Sequence, residues 1–169
     1  MIHPAAYWIE HLKLKKHPEG GYFKEVYRSN EVINIKGLPD RYTSFRNFAT
    51  AIYFLLRSDE FSAFHRLRSD ETWHFYTGST LILYIIEPSG KLRQIKLGNA
   101  LANNNQFQVT IPRGYWFAAK VENPDSYTLM GCTVSPGFDF EDFELGKKSV
   151  LGEKFPQHKA LINAMTILP

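Results

Sequence analysis

The sequence predicts an all-β fold, a double-sheet jelly roll (a double-stranded β-helix barrel) with a short helix at each end. Two observations carry this. About nine short apolar or aromatic runs follow one another, separated by turns rich in Gly, Pro and Asn, and no helix alternates with them. Aromatic residues make up 15% of the chain, with 13 Phe and 9 Tyr, a bias that pleated, half-buried surfaces favour. With 169 residues, the expectation is one domain spanning 1–169, large enough to bury a core without disulfides.

Taken in order, Ala5, Trp8, Ile9 and Leu12 fall at helical spacing and predict a helix over 4–14, with Pro4 tolerated in its first turn. His17-Pro18-Glu19-Gly20-Gly21 breaks the chain before a strand over 22–28. This break reads either as an exposed turn or as a rim that places Glu19 and Tyr22 at a cavity. Residues 30–43 are polar, contain Gly37 and Pro39, and predict a loop able to act as a lid. Residues 44–56 predict a long strand whose last six positions are apolar on both faces, as in a covered sandwich strand. Tyr53 lies in this run, as a core tyrosine or a cavity residue.

Further along, 81–86 and 91–97 predict a hairpin turning at Pro88-Ser89-Gly90. Phe107, Val109 and Ile111 alternate up to Pro112. After the Pro-x-Gly turn, Tyr115, Phe117, Ala119 and Val121 share one strand face, with Trp116, Ala118 and Lys120 on the other. A last core strand covers 127–134 and contains Cys132. In 135–145 acidic and aromatic residues alternate, which predicts a cap over a sheet edge with its acids in solvent, or one that brings Asp139 or Glu141 to a cavity mouth. Residues 153–168 predict a closing helix.

The chemistry centres on 61–78. Parity puts Phe61, Ala63, His65 and Leu67 on one face of the first strand, and Glu71, Trp73 and Phe75 on one face of the second. An imidazole and a carboxylate on apolar faces are costly to bury alone. The economical arrangement has the two faces meet, so that His65 and Glu71 line a common cavity.

These residues resemble the first cupin motif, with His65, Leu67, Glu71 and Gly78 at the positions of its two histidines, its glutamate and its closing glycine. Pro112-Arg113-Gly114-Tyr115-Trp116-Phe117 resembles the core of the second motif, which normally ends on a histidine. Together with His17-Pro18-Glu19-Gly20-Gly21-Tyr22-Phe23 and the 135–145 segment, they look like the signatures of a small family of single-domain cupins. The resemblance implies a cupin jelly-roll barrel, commonly dimeric, with an internal pocket. It also implies that two of four usual metal ligands are replaced, by Leu67 and Phe117. His74 has the wrong parity to make up the deficit, so the expected metal and cofactor complement is none.

Three functions fit this pocket. One is metal-independent acid-base chemistry of the isomerase or epimerase kind, as in the sugar-nucleotide epimerases that resemble this fold. In it His65 and Glu71 are catalytic, and Glu19, Tyr53, Trp73, Tyr115, Phe117 and Asp139 bind a sugar or ring. The second is a ligand-binding module without turnover. The third is a metal-dependent oxygenase or isomerase with a degenerate site.

The remaining expectations come from composition. Twenty basic against 17 acidic residues, with no long basic run, argue against nucleic acid. No apolar run is long enough for a membrane span, and the N-terminus lacks a signal-peptide pattern. A single cysteine suits a reducing compartment and a cytoplasmic location. The expected partners are a small-molecule ligand and a second copy, in a homodimer for which Trp116 and His74, outward by parity, are interface candidates.

Overall fold

Alternating apolar and polar residues build two sheets in the computed structural model, which describes residues 3–167. The strands are β1 (Lys15–Lys16), β2 (Tyr22–Arg28), β3 (Val32–Ile33), β4 (Arg46–Asn47), β5 (Thr50–Arg57), β6 (Phe61–Leu67) and β7 (Asp70–Gly78). They continue with β8 (Leu81–Ile86), β9 (Leu92–Leu97), β10 (Gln108–Ile111), β11 (Trp116–Val121), β12 (Tyr127–Ser135) and β13 (Phe143–Leu145). A six-stranded sheet runs β1-β2-β5-β12-β7-β10 and a five-stranded sheet runs β13-β6-β11-β8-β9; β3 and β4 pair apart. All strand pairs are antiparallel, and β8 and β9 form the expected hairpin, with Ile86 opposite Leu92. The arrangement is the cupin jelly roll.

The main core lies between the sheets, where Phe54, Trp73, Leu83, Phe117 and Met130 pack together. A second cluster joins the outer face of the five-stranded sheet to α2 (Lys148–Lys154) and α3 (Lys159–Ala164) through Phe64, Trp116, Leu151 and Ile162. Trp116 is thus covered by its own chain, and the Arg66 guanidinium stacks on it at 4.7 Å. The expected single C-terminal helix is two short ones, broken at Phe155-Pro156; residue 168 lies outside the described residues. At the other end α1 (Ala5–His11) lies against β5, and the Trp8 indole N–H donates to Tyr127 Oη at 2.7 Å.

Three local expectations change. The run 44–56 is two strands, β4 and β5. The 30–43 segment is pinned rather than loose: Tyr42, 3% exposed, is 2.8 Å from Ser69 Oγ, and none of its residues lines the main cavity. The strict alternation expected along 61–67 fails at a β-bulge between β6 and β11, where His65 faces Phe117 but Ser62 faces Ala119. A bulge shifts side-chain parity by one. Phe61 accordingly packs with the outer cluster, while the Ser62 hydroxyl reaches the interior.

The 135–145 segment folds over the sheets and ends as edge strand β13, with Phe143 opposite Leu67 and Leu145 opposite His65. Its acids are not all in solvent. Asp142 is 5% exposed and takes a bidentate ion pair from Arg46, Nε to Oδ2 at 2.6 Å and Nη2 to Oδ1 at 2.7 Å. Arg46 is itself 1% exposed and also donates to the Phe45 carbonyl. The pair rivets the cap to β4 and so fixes the roof over the cavity.

Candidate active site

A cavity of about 220 Å³ lies between the sheets. Phe23, Ile52, Phe54, Glu71 and Trp73 wall it on the six-stranded sheet, His65 and Leu67 on the five-stranded one. Phe138, Phe140 and Phe143 of the cap close it.

Glu19 enters from the tight turn after β1. His17 N–H donates to the Gly21 carbonyl at 3.1 Å, and Ala63 N–H donates to the Glu19 carbonyl at 2.8 Å, docking the turn on β6. Gly20 has φ +111°, and a Cβ there would sit 2.1 Å from the Phe61 carbonyl oxygen. Only glycine allows so close an approach.

The Glu19 carboxyl accepts from Ser62 Oγ at 2.8 Å through Oε1, while Oε2 lies 3.1 Å from His65 Nε2 and 3.4 Å from His17 Nδ1. His65 Nδ1 lies 2.7 Å from the Ala63 carbonyl, which can only accept, so Nδ1 carries the proton and Nε2 faces Glu19. Burial disfavours charge on both partners. It lowers His65 to about 3, with the Ala63 hydrogen bond opposing, and raises Glu19 well above the carboxylate range, helped by the Glu71 charge. With Nδ1 protonated, the 3.1 Å approach of Nε2 to Oε2 requires one proton between them, so the pair carries no net charge and titrates as a unit. His17 accepts the Glu19 N–H at Nδ1 (3.3 Å), so its own proton sits on Nε2; burial lowers it to about 4.

Glu71 stands on the opposite wall, 8% exposed, and its Oε2 has no hydrogen-bond partner. Burial raises it to about 7, a rise held in check by the nearby Trp73 N–H and Cys132 S–H. His65 and Glu71 do line one cavity, but the carboxyl beside the imidazole is that of Glu19 and not that of Glu71. Burial and the two carboxyls push the Cys132 thiol well above its usual range, so it is a neutral wall group. At the mouth, Arg28 forms a bidentate pair with Glu25 (2.8 and 3.0 Å) and donates to the Phe138 carbonyl at 3.2 Å, beside Asp139.

Of the residues named from sequence, His65, Glu71, Glu19, Trp73 and Asp139 line this one cavity. Three do not. Tyr53 projects from the other face of β5, where its ring lies 6.2 Å from that of Tyr76 and packs toward α1. Tyr115 is half-buried against the core but does not reach the cavity. Phe117 is 1% exposed and sits behind the His65 ring, centroids 4.0 Å apart, as a support and not a wall. Sequence reasoning missed His17, Cys132, Arg28 and the cap phenylalanines. His17 stands two residues before Glu19, and Cys132 is paired across the sheet with Trp73, a register no local pattern displays.

The metal that the cupin resemblance implies would sit among the side chains at positions 65, 67, 71 and 117. Leu67 and Phe117 offer no donor, and both His65 nitrogens are engaged, by Ala63 and Glu19. Among the described residues no group of three or more His, Cys, Asp or Glu side chains is arranged to hold an ion. The residues present do not fit a metal.

The two sheets and the cavity between them define a cupin in which two of the usual ligand positions hold Leu67 and Phe117. The chain belongs to the family described as Cupin superfamily (DUF985), which it matches over residues 6–146. It is 32% identical over 143 residues to the uncharacterized protein YML079W of Saccharomyces cerevisiae, covering 79% of this chain and 71% of that one. Protein SO0799 from Shewanella oneidensis superposes with a TM-score of 0.90 at 37% identity, over 99% of this chain and all (100%) of the other. A hypothetical protein from Leishmania major gives 0.88 at 36% identity, over 97% and 99%. Oxalate decarboxylase from Bacillus subtilis shares the fold alone, with a TM-score of 0.54 at 13% identity over 89% of this chain and 36% of that one.

Proposed function

We propose that this protein is a metal-independent isomerase or epimerase that moves a proton on a carbon next to a carbonyl group of a small substrate. The observation that carries the reading is Glu71, a buried carboxyl whose Oε2 has no hydrogen-bond partner and whose pKa burial raises to about 7, on the wall facing the Glu19–His65 pair. A general base works best when its pKa lies near the operating pH, and isolation in an apolar wall gives Glu71 that value.

In this mechanism the Glu71 carboxylate takes the proton from the substrate C–H. The C–H electron pair moves into the new C=C bond and the carbonyl π pair onto oxygen. The His17 Nε2–H is the donor available to that oxyanion. Return of a proton to carbon from Glu71 restores the same face, whereas delivery from the Glu19–His65 unit on the opposite wall inverts the centre. Two acid-base groups on facing walls therefore favour epimerisation. Trp73, Phe54 and the cap phenylalanines supply flat apolar surface for a ring. The cavity, about 220 Å³, is smaller than the ~300–1,000 Å³ of drug-sized pockets. It suits a monosaccharide-sized group and not a whole sugar nucleotide.

The test incubates the protein in D₂O with aldoses, ketoses, 2-oxo acids and their phosphate esters, and follows C–H exchange by NMR. Exchange is expected next to the carbonyl of one class. Glu71→Gln, His65→Ala and Glu19→Gln should each slow it by about 10²–10⁴-fold. The Glu19→Gln/His65→Ala double variant should lose little more than either single one, because the pair acts as a unit. A ligand that binds in the cavity with no exchange at any carbon would make the protein a binding module instead.

A further inference from the structure

Two arginine-bearing segments of the cupin motifs, the end of β6 at Arg66-Leu67-Arg68 and the turn Pro112-Arg113-Gly114, contribute no arginine to the acid-base site. The fold brings them together on the far side of Leu67 and Phe143, side chains that wall both the inner cavity and a second, outer cleft of about 540 Å³. Arg41, Arg66, Arg68 and Arg113 line that cleft with Glu141, Asp142 and Glu144.

The scaffold is held by backbone groups and by the Arg41 guanidinium, not by the heads of Arg68 and Arg113. Gly114 N–H donates to the Leu67 carbonyl at 2.8 Å, and Arg113 N–H donates to Asp70 Oδ1 at 2.8 Å. Arg41 Nε and Tyr42 Oη both reach the Arg68 carbonyl, at 2.8 and 3.3 Å. The three segments are thereby fixed against one another, while the charged ends of Arg68 and Arg113 remain at the surface.

The acids of the cleft offset these arginines only in part. Asp142 is taken by the buried Arg46, and Arg68 only approaches it, at 3.8 Å. Glu141 accepts from Arg46 and from Thr43 and Ser44 hydroxyls. Glu144 is bound to Arg66, at 2.6 Å from Nη2. Arg113 has no ion-pair partner among the described residues, and Arg41 contacts only a carbonyl and a phenol. Arg113 is thus left without a carboxylate and Arg68 with a distant one, and an anion in the cleft would supply both with the partner they lack. Planar forked donors suit the oxygens of phosphate.

We propose that this cleft binds a phosphoryl group, a mono- or diphosphate, through Arg41, Arg68 and Arg113. The Leu67–Phe143 wall it shares with the cavity places that anion beside the acid-base site. Its binding stands independently of the proton-transfer reading, because the probe carries no C–H bond.

Isothermal titration of the intact protein with inorganic pyrophosphate, orthophosphate and chloride at low ionic strength tests the site. Saturable binding at one equivalent is expected for pyrophosphate, weaker binding for orthophosphate and none for chloride, with affinity falling as salt is added. Arg113→Gln and Arg68→Gln should each weaken pyrophosphate binding on the order of tenfold. Glu144→Gln, which frees Arg66, should strengthen it. Arg113→Gln leaves no buried group exposed, so an unchanged melting temperature verifies its fold. Absence of saturable pyrophosphate binding, or binding that both arginine variants leave unchanged, overturns the proposal.

Discussion

Replacing Asp142 with alanine is expected to cost about 3–5 kcal/mol, because it strands the Arg46 guanidinium inside the protein. Arg46 is 1% exposed, and without Asp142 it keeps only Glu141 at 3.2 Å, the Ser44 hydroxyl and the Phe45 carbonyl. For a chain of this size the melting temperature should fall on the order of 10 °C. Breaking one partner differs from removing both. Arg46→Met combined with Asp142→Leu should recover most of the loss, since an apolar pair avoids the desolvation that the ion pair must offset. The cap supplies Phe138, Phe140 and Phe143 to the cavity, so Asp142→Ala should also weaken binding of any ligand found there. A loss below about 1 kcal/mol, the size of an ordinary surface pair, would contradict the riveting role.

Glu71→Gln is expected to stabilise the protein at alkaline pH while it removes the proposed base. The folded-state pKa of Glu71 is raised, from 4.5 to about 7, so folding favours its protonated form. Its contribution is fully favourable below pH 4.5 and is lost as pH rises through about 7. At ~1.36 kcal/mol per pKa unit, forcing the buried carboxyl to ionise costs about 3 kcal/mol by pH 8. The glutamine variant carries no such cost. The variant should exceed the wild type by up to this amount at pH 8, and the difference should vanish toward pH 4.5. His17 and His65 run the other way, because their folded pKa values are lowered: their contribution is present above pH 6.5 and lost as pH falls toward about 4 and 3. Both proteins share that acid limb, so the difference between them reports the Glu71 charge, including its effect on Glu19. Urea unfolding of the two across pH 4.5–8 measures it, and parallel curves would mean that Glu71 is not a strained carboxyl.

Strand parity was enough to turn His65, Glu71 and Trp73 inward, since their two strands keep regular alternation where those residues lie. It failed for Phe61 and Ser62, because the bulge opposite β11 arises from tertiary pairing and leaves no mark in the local pattern. It was silent on Glu19, which reaches His65 from a turn whose path depends on Gly20 fitting under the Phe61 carbonyl. Hence the motif shows that His65 and Glu71 share a cavity but not that Glu19 is the carboxyl beside His65. Tyr53 shows a related limit. In a run apolar on both faces, parity tells which residues share a side but not which side is the interior. The burial of Asp142 was equally hidden, because its partner Arg46 lies 96 residues away.

The central claim is that Glu71 is a carboxyl poised to exchange a proton near neutral pH, opposite a neutral Glu19–His65 pair. Carbon-13 NMR of glutamate side chains, titrated between pH 4 and 9 and assigned by comparison with Glu71→Gln, measures this directly. The account predicts that the resonance missing from the variant titrates at about 7. A midpoint at the ordinary 4.5 would show the carboxyl to be solvated or paired, and would contradict its role as the base.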